Sequence, residues 1–315
     1  MRIIEQAVIQ AHYHEADALE KLKEGFRAFS AGRVQLPPAQ QFLFAQAGGD
    51  CCIKSAWMEG SESFCVKVSS GFYRNGDLGL PGNDGLNMLF SAQTGQPLAL
   101  LNDHGWLTGM RTALAGRVAA ELLLPERVEQ IAIFGTGLQA ELQLRQLLAL
   151  TACRQVIIWG RSENALVRIR QRLADCDINL ITTLEAEQAA RAASIIVTAT
   201  PSSVPLLRRE WIRPGTHITA VGADSPGKQE LDAAIVGAAA CVLVDSLTQC
   251  SSYGELSHLP AAQRTGKIIE IGSLLSDSSQ YQRAAEAITV ADLTGLGVQD
   301  AQISASILAQ MGGLR

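Results

Sequence analysis

The chain segment with the clearest chemical purpose is Ile131-Ala132-Ile133-Phe134-Gly135-Thr136-Gly137-Leu138-Gln139-Ala140, an apolar run that enters a glycine turn and then a helical pattern through Leu142, Leu144, Leu147 and Leu148. Gly135 permits a tight turn. Gly137 lets a pyrophosphate approach the backbone and Ala140 lets the helix pack closely on its strand, so that free N–H groups and the positive end of the helix dipole face the phosphates. Thr136, Leu138 and Gln139 complete that turn. A second apolar run, 156–159, ends about 20 residues further on, where the residue that reads the ribose belongs. Gly160-Arg161-Ser162 stands there, without an acid. An acid would accept from a ribose 2′-hydroxyl, whereas Arg161 with the Ser162 hydroxyl suits a 2′-phosphate. The expected cofactor is therefore NADPH, with NADH possible and weaker.

Three further side chains stand out. Arg111 sits where an apolar helical pattern over 112–124 begins, a position at which a positive charge opposes the helix dipole. Lys67 interrupts the apolar run Phe64-Cys65-Val66-Lys67-Val68, although the solvated face of an alternating strand accounts for it equally well. Asp224 follows the apolar run 217–221, at the strand end where doubly wound sheets bind ligands, between Gly222-Ala223 and Ser225-Pro226-Gly227. A carboxylate there can serve a protonated C=N group as counter-ion and proton relay. Thr198 and Thr200 end another such run and are expected beside the nicotinamide ribose.

Composition narrows the class. A net charge of −5 offers no basic field for nucleic acid or an anionic membrane. No apolar run approaches the ~20 residues of a membrane span, and Met1-Arg2-Ile3-Ile4-Glu5 has no signal-peptide core, so a cytoplasmic protein is expected. The seven cysteines show no C-x-x-C spacing. His12 and His14 point to different faces of a helix, and no metal site is expected.

The elements that must position these groups fall into two patterns. Helical spacing over 16–29 is followed by short strand-like runs at 42–44, 51–53, 64–68, 88–90 and 97–101, separated by Gly, Asn and Asp turns, which reads as an antiparallel sheet. Beyond 112–124, alternating helices and short apolar runs at 194–200, 217–222 and 241–245 read as a doubly wound parallel sheet. The fold class expected is α/β: a Rossmann-type domain over 116–298, and a smaller α+β substrate-binding and dimerisation domain built from both chain ends, 1–115 with a final helix 299–315. The two are expected to pack with a cleft between them.

Taken together, Arg33-Val34-Gln35-Leu36-Pro37, Lys67 with Asn75, Thr108-Gly109-Met110-Arg111-Thr112-Ala113, the glycine turn, Ala220-Val221-Gly222-Ala223-Asp224-Ser225-Pro226-Gly227-Lys228-Gln229-Glu230-Leu231 and Thr294-Gly295-Leu296-Gly297-Val298-Gln299-Asp300 resemble the ornithine cyclodeaminase/μ-crystallin family over essentially the whole chain. The resemblance implies a homodimer acting on small amino or imino acids with a bound nicotinamide. It implies that Arg33, Lys67 and Arg111 clamp the substrate carboxylate, that Lys67 and Asp224 are catalytic, and that Val221 and Gly297 join the cofactor site. Cyclodeaminases of this family carry a glutamate two residues before a Met-Pro. Here the corresponding Met58 is preceded by Ala56 and followed by Glu59, with Glu62 nearby. The expected activity is thus NADPH-dependent reduction of cyclic ketimine carboxylates, Δ1-pyrroline-2-carboxylate or Δ1-piperideine-2-carboxylate, to L-proline or L-pipecolate. An ornithine cyclodeaminase-type lyase, an alanine dehydrogenase-like enzyme and a non-catalytic NADPH-dependent binding protein are the alternatives.

Overall fold

A computed structural model describes residues 1–313 apart from Tyr73 and Thr265. The chain divides into two compact units, Met1–Arg111 with Leu296–Arg315, and Thr112–Gly295.

In the first unit, strands β1 (Arg2–Glu5), β2 (Val34–Gln35), β3 (Gln40–Phe44), β4 (Gly49–Met58), β5 (Ser63–Phe72), β6 (Asn83–Ser91) and β7 (Pro97–Asn102) form one sheet of order β1-β7-β6-β5-β4-β2, with β3 also on β4. Successive strands from β3 onward pair antiparallel, as the turn-separated runs predict. β1, too short to announce itself, adds in parallel to β7. A helix over Glu15–Ser30 buries Leu19, Leu22 and Phe26, the stripe that helical spacing requires. The last helix, Gly297–Gln310, packs on that helix and on β4 and β5. Its close approach depends on Gly297, where an added Cβ would come within 2.7 Å of the Ser55 carbonyl oxygen.

The second unit holds an eight-stranded sheet, with a short parallel pair, Ser203–Leu207 and Gln229–Leu231, beside it. The sheet runs β8 (Ile131–Phe134), β9 (Gln155–Trp159) and β10 (Asn179–Thr183) to one side, and from β8 to Ile195–Thr198, His217–Ala220, Thr289–Asp292, Cys241–Val244 and Lys267–Glu270 on the other. Every pair is parallel. Alternate residues of β8 serve opposite faces: Ile131 and Ile133 join one apolar core with Leu144 and Ile158, while Ala132 and Phe134 join another with Trp159 and Ile218. Burial on both faces explains why these strands read as unbroken apolar runs. Strand order reverses beside β8, the switch point at which such sheets take ligands. No helix of the described residues is long and apolar enough to cross a membrane.

Gly297→Ala should lower the unfolding free energy by about 1–3 kcal/mol, the usual cost of an extra methyl in a close-packed contact. Urea denaturation with an unchanged m-value is the check; a midpoint equal to that of the unsubstituted protein would show that the helix moves aside freely.

Candidate functional site

In the first unit, Lys67 lies on the inward face of β5 and Arg111 on the helix Trp106–Leu123 that follows β7. Both are buried, at 2% and 7% exposure. One carboxylate holds them together: Lys67 Nζ lies 3.2 Å from Asp300 Oδ2, and Arg111 Nε donates to Asp300 Oδ1 at 3.1 Å. An Arg111 Nη donates to Gln299 Oε1 at 3.0 Å, while the Gln299 Nε2 group is buried without a partner among the described residues. Lys54, the register partner of Lys67 on β4, adds a further cation nearby. Burial draws the Lys67 ammonium down to about 8; Asp300 opposes that shift, whereas Arg111 and Lys54 reinforce it. The cluster therefore has more cations than acids facing Lys67, and an unfilled donor beside them. Those are the features of a site for a small carboxylate.

Two details differ from the sequence reading. The helix bearing Arg111 starts at Trp106, a turn and a half earlier than expected, so Arg111 lies beyond the first turn where the dipole acts. Its charge is stabilised by Asp300 instead. The start of that helix is held by Asp103, whose Oδ2 accepts from the Leu107 N–H at 2.7 Å, and Asn87 Nδ2 donates to its other oxygen at 3.4 Å. Burial raises the Asp103 carboxyl to about 6. Arg33 is exposed at the turn before β2 and takes no part in these contacts. Ala56 is buried beside Gly297, while Glu59 and Glu62 are exposed at the following turn. Gly297 itself serves the packing of the last helix.

In the second unit, Gly135 has φ +130°, and a Cβ there would come within 2.6 Å of the Ala199 oxygen. Gly137 is exposed, an added Cβ there would meet open space, and no side chain caps the helix Leu138–Leu150 that it opens. Thr136, Leu138 and Gln139 flank this bare helix end, and Ala140 is fully buried beneath it. Arg172 fixes the turn from outside, donating to the Thr136 oxygen at 2.7 Å and pairing with Glu141 at 2.9 Å. The arrangement fits a pyrophosphate: a helix start that no side chain caps, with no Cβ at Gly137 in the way. At the end of β9, Arg161 is exposed, whereas the Ser162 hydroxyl caps the next helix by accepting from the Ala165 N–H.

Thr198 and Thr200 end the strand next to β8, and both hydroxyls donate to Glu230, at 2.8 Å each. Thr198 has no exposed surface, and Val221 is buried. Asp224 is half exposed in the loop after His217–Ala220 and pairs with Lys228 at 2.7 Å.

Sequence reasoning missed Asp300, Gln299, Asp103, Glu230 and Arg172 as working residues. Asp300 carries the same signal as any acid in a first helical turn, which is favourable there on dipole grounds alone. Its real distinction is burial against Lys67 and Arg111, which the packing of the last helix creates.

Asp300→Asn leaves two buried cations sharing an amide. Removing one partner of a buried pair costs about 3–5 kcal/mol. Urea unfolding should show a loss on that scale, larger than the loss for Arg111→Met; equal or smaller loss would mean that Asp300 does not hold the two cations together.

With this geometry in place, the chain can be set beside known proteins. A family model described as the ornithine cyclodeaminase/mu-crystallin family matches residues 2–311. A protein of Sinorhizobium fredii named as an uncharacterized cyclodeaminase is 37% identical over 295 residues, covering 92% of this chain and 89% of its own. A Δ1-pyrroline-2-carboxylate reductase of Bacillus thuringiensis subsp. konkukian is 31% identical over 280 residues, with 87% and 85% covered. Among solved structures, an archaeal alanine dehydrogenase dimer with bound NAD superimposes with a TM-score of 0.88 at 30% identity, covering 98% of this chain and 95% of that one. Matched from end to end in sequence and in fold, the chain belongs to the ornithine cyclodeaminase/mu-crystallin family.

Proposed function

We propose that this protein is a dinucleotide-dependent reductase of small α-imino carboxylates. Its substrates in this reading are cyclic ketimines of the Δ1-pyrroline-2-carboxylate and Δ1-piperideine-2-carboxylate type, its products L-proline and L-pipecolate, and its working form a homodimer. The observation that carries the reading is the buried Lys67 and Arg111 pair on one Asp300 carboxylate, with the Gln299 amide beside it unfilled. Such a cluster binds one more carboxylate and orients it through a planar guanidinium. A nicotinamide dinucleotide would be held by Gly135, Gly137 and the start of Leu138–Leu150, and supplies hydride to the imine carbon. Asp224 is assigned the proton at the imine nitrogen, first as counter-ion and then as donor. Arg33 remains a candidate third contact to the substrate.

Reduction is favoured over cyclodeamination because Ala56 replaces the acid that a cyclodeaminase of this family carries, and Glu59 and Glu62 are exposed. Expulsion of ammonia requires a group that manages the distal amine of ornithine. A buried methyl group does not do this.

The decisive assay measures NADPH and NADH oxidation with Δ1-pyrroline-2-carboxylate beside ammonia release from L-ornithine with catalytic NAD. Cofactor oxidation that depends on the imine is the expected result. Ammonia release without net oxidation would instead make the protein a cyclodeaminase. Amination of pyruvate alone would make it alanine dehydrogenase-like, and binding of NADPH with no turnover of any of these would make it a binding protein.

Arg161 makes NADPH the preferred cofactor, by one charge-assisted contact of about 1.5–3 kcal/mol, or roughly 10- to 150-fold. Arg161→Asp should abolish or reverse that preference; a native protein with equal Kd for both cofactors would refute it.

The clamp also sets a pH limit. Lys67 binds a carboxylate only while protonated, and its ammonium is drawn down to about 8, so affinity is full below that pH and lost above it. The Ki of cyclopentanecarboxylate, which has no titrating nitrogen, should rise about tenfold per pH unit above that point, and the rise should disappear in Lys67→Arg. A flat profile to pH 10 would remove Lys67 from the clamp.

A further inference from the structure

Glu230 is fully buried in the second unit, and it takes four hydrogen bonds on two oxygens. The Thr200 N–H and hydroxyl donate to Oε1 at 2.7 and 2.8 Å; the Thr198 hydroxyl and the Gly222 N–H donate to Oε2, each at 2.8 Å. These donors come from the carboxyl ends of two adjacent parallel strands, Ile195–Thr198 and His217–Ala220. One side chain therefore fixes the mutual position of two strand ends on the far side of β8 from β9. Close packing continues toward the glycine turn, because a Cβ on Gly135 would touch the Ala199 oxygen at 2.6 Å and the Thr200 methyl at 3.4 Å. Glu230 is itself held from behind. Glu255 accepts from the Glu230 and Leu231 N–H groups at 2.7 and 3.1 Å, and Asp292 accepts from the Leu256 N–H at 2.9 Å.

A dinucleotide bound at the switch point spans the sheet edge, with its adenosine half at the end of β9, its pyrophosphate over the turn after β8, and its other half at the next strand ends. We infer that Glu230 is a positioning residue for the nicotinamide half of the dinucleotide, acting through Thr200 and Gly222. The inference rests on the dinucleotide reading above and adds to it a residue that the glycine motif does not contain. Carboxylate chemistry is required at this position. Threonine hydroxyls can turn to accept, but the Thr200 and Gly222 N–H groups can only donate, and they donate to different oxygens. A glutamine has one acceptor oxygen, so in either orientation its NH₂ group confronts one of those two backbone donors.

The test compares two probes on Glu230→Gln: NADPH, and 2′-phospho-ADP, which keeps the adenosine and both phosphates of the pyrophosphate but lacks the nicotinamide and its ribose. Calorimetric Kd values should show NADPH weakened about tenfold or more, with 2′-phospho-ADP within twofold of the unsubstituted protein. Equal losses for both probes, or no loss for either, would overturn the inference. Should Glu230→Gln not fold, Thr198→Val removes one donor to the same carboxylate from a residue with no exposed surface, and should give the same split at about two- to fivefold. Failure of the unsubstituted protein to bind either probe or NADH would instead refute the dinucleotide reading itself.

Discussion

Two cations buried side by side repel, and they persist in a protein interior only where an acid and hydrogen bonds compensate for lost hydration. Asp300 is that acid for Lys67 and Arg111. The constraint reaches well beyond the three side chains. Lys67 comes from an antiparallel strand, Arg111 from a helix leaving the sheet, and Asp300 from a helix nearly 190 residues later in the chain. The last helix must lie flat on β4 and β5 for its carboxylate to reach both, which explains why position 297 has no side chain and position 56 only a methyl group. One acid thus pairs with two neighbouring cations, Lys67 and Arg111.

The second unit uses the same device toward a different end. Glu230, Glu255 and Asp292 are buried acids whose partners are mostly backbone N–H groups. Burial raises Glu230 and Asp292 to about 7, and the donors around each counter that rise. Loops at strand ends have few repeating hydrogen bonds of their own. Carboxylates inserted from neighbouring segments supply acceptors in fixed directions, giving rigid loops where a regular sheet has already stopped.

Much of this was legible in the sequence, and the pattern of what was not is physical. Unbroken apolar runs such as Ile131–Phe134 and Cys241–Val244 announce strands buried on two faces, and the glycine turn announces a helix start that no side chain caps. The runs around Phe64 and Met88 announce the antiparallel sheet. Arg111 was legible as a misplaced charge, and Lys67 only as one of two equal readings, yet the reason given for Arg111 was incorrect, because the helix starts at Trp106 and the dipole argument fails one turn in. Ser162 was read as a phosphate contact, and its hydroxyl also caps the next helix, a role that the same residue type signals. Asp300 and Glu230 could not be singled out, since an acid in a polar stretch carries no mark of the burial that long-range packing later imposes.

The last helix has a consequence in time as well as in space. Synthesis runs from the amino end, so residues 112–295, a continuous stretch with its own two apolar cores, are made before Leu296 onward is added. Domains that are contiguous in sequence can fold as they emerge. The first unit cannot: until the final segment arrives, β4 and β5 have an uncovered face, and Lys67 and Arg111 face each other without their acid. Completing the first unit therefore brings Lys67 and Arg111 their acid, and residues 1–111 wait for it while the whole of 112–295 is made.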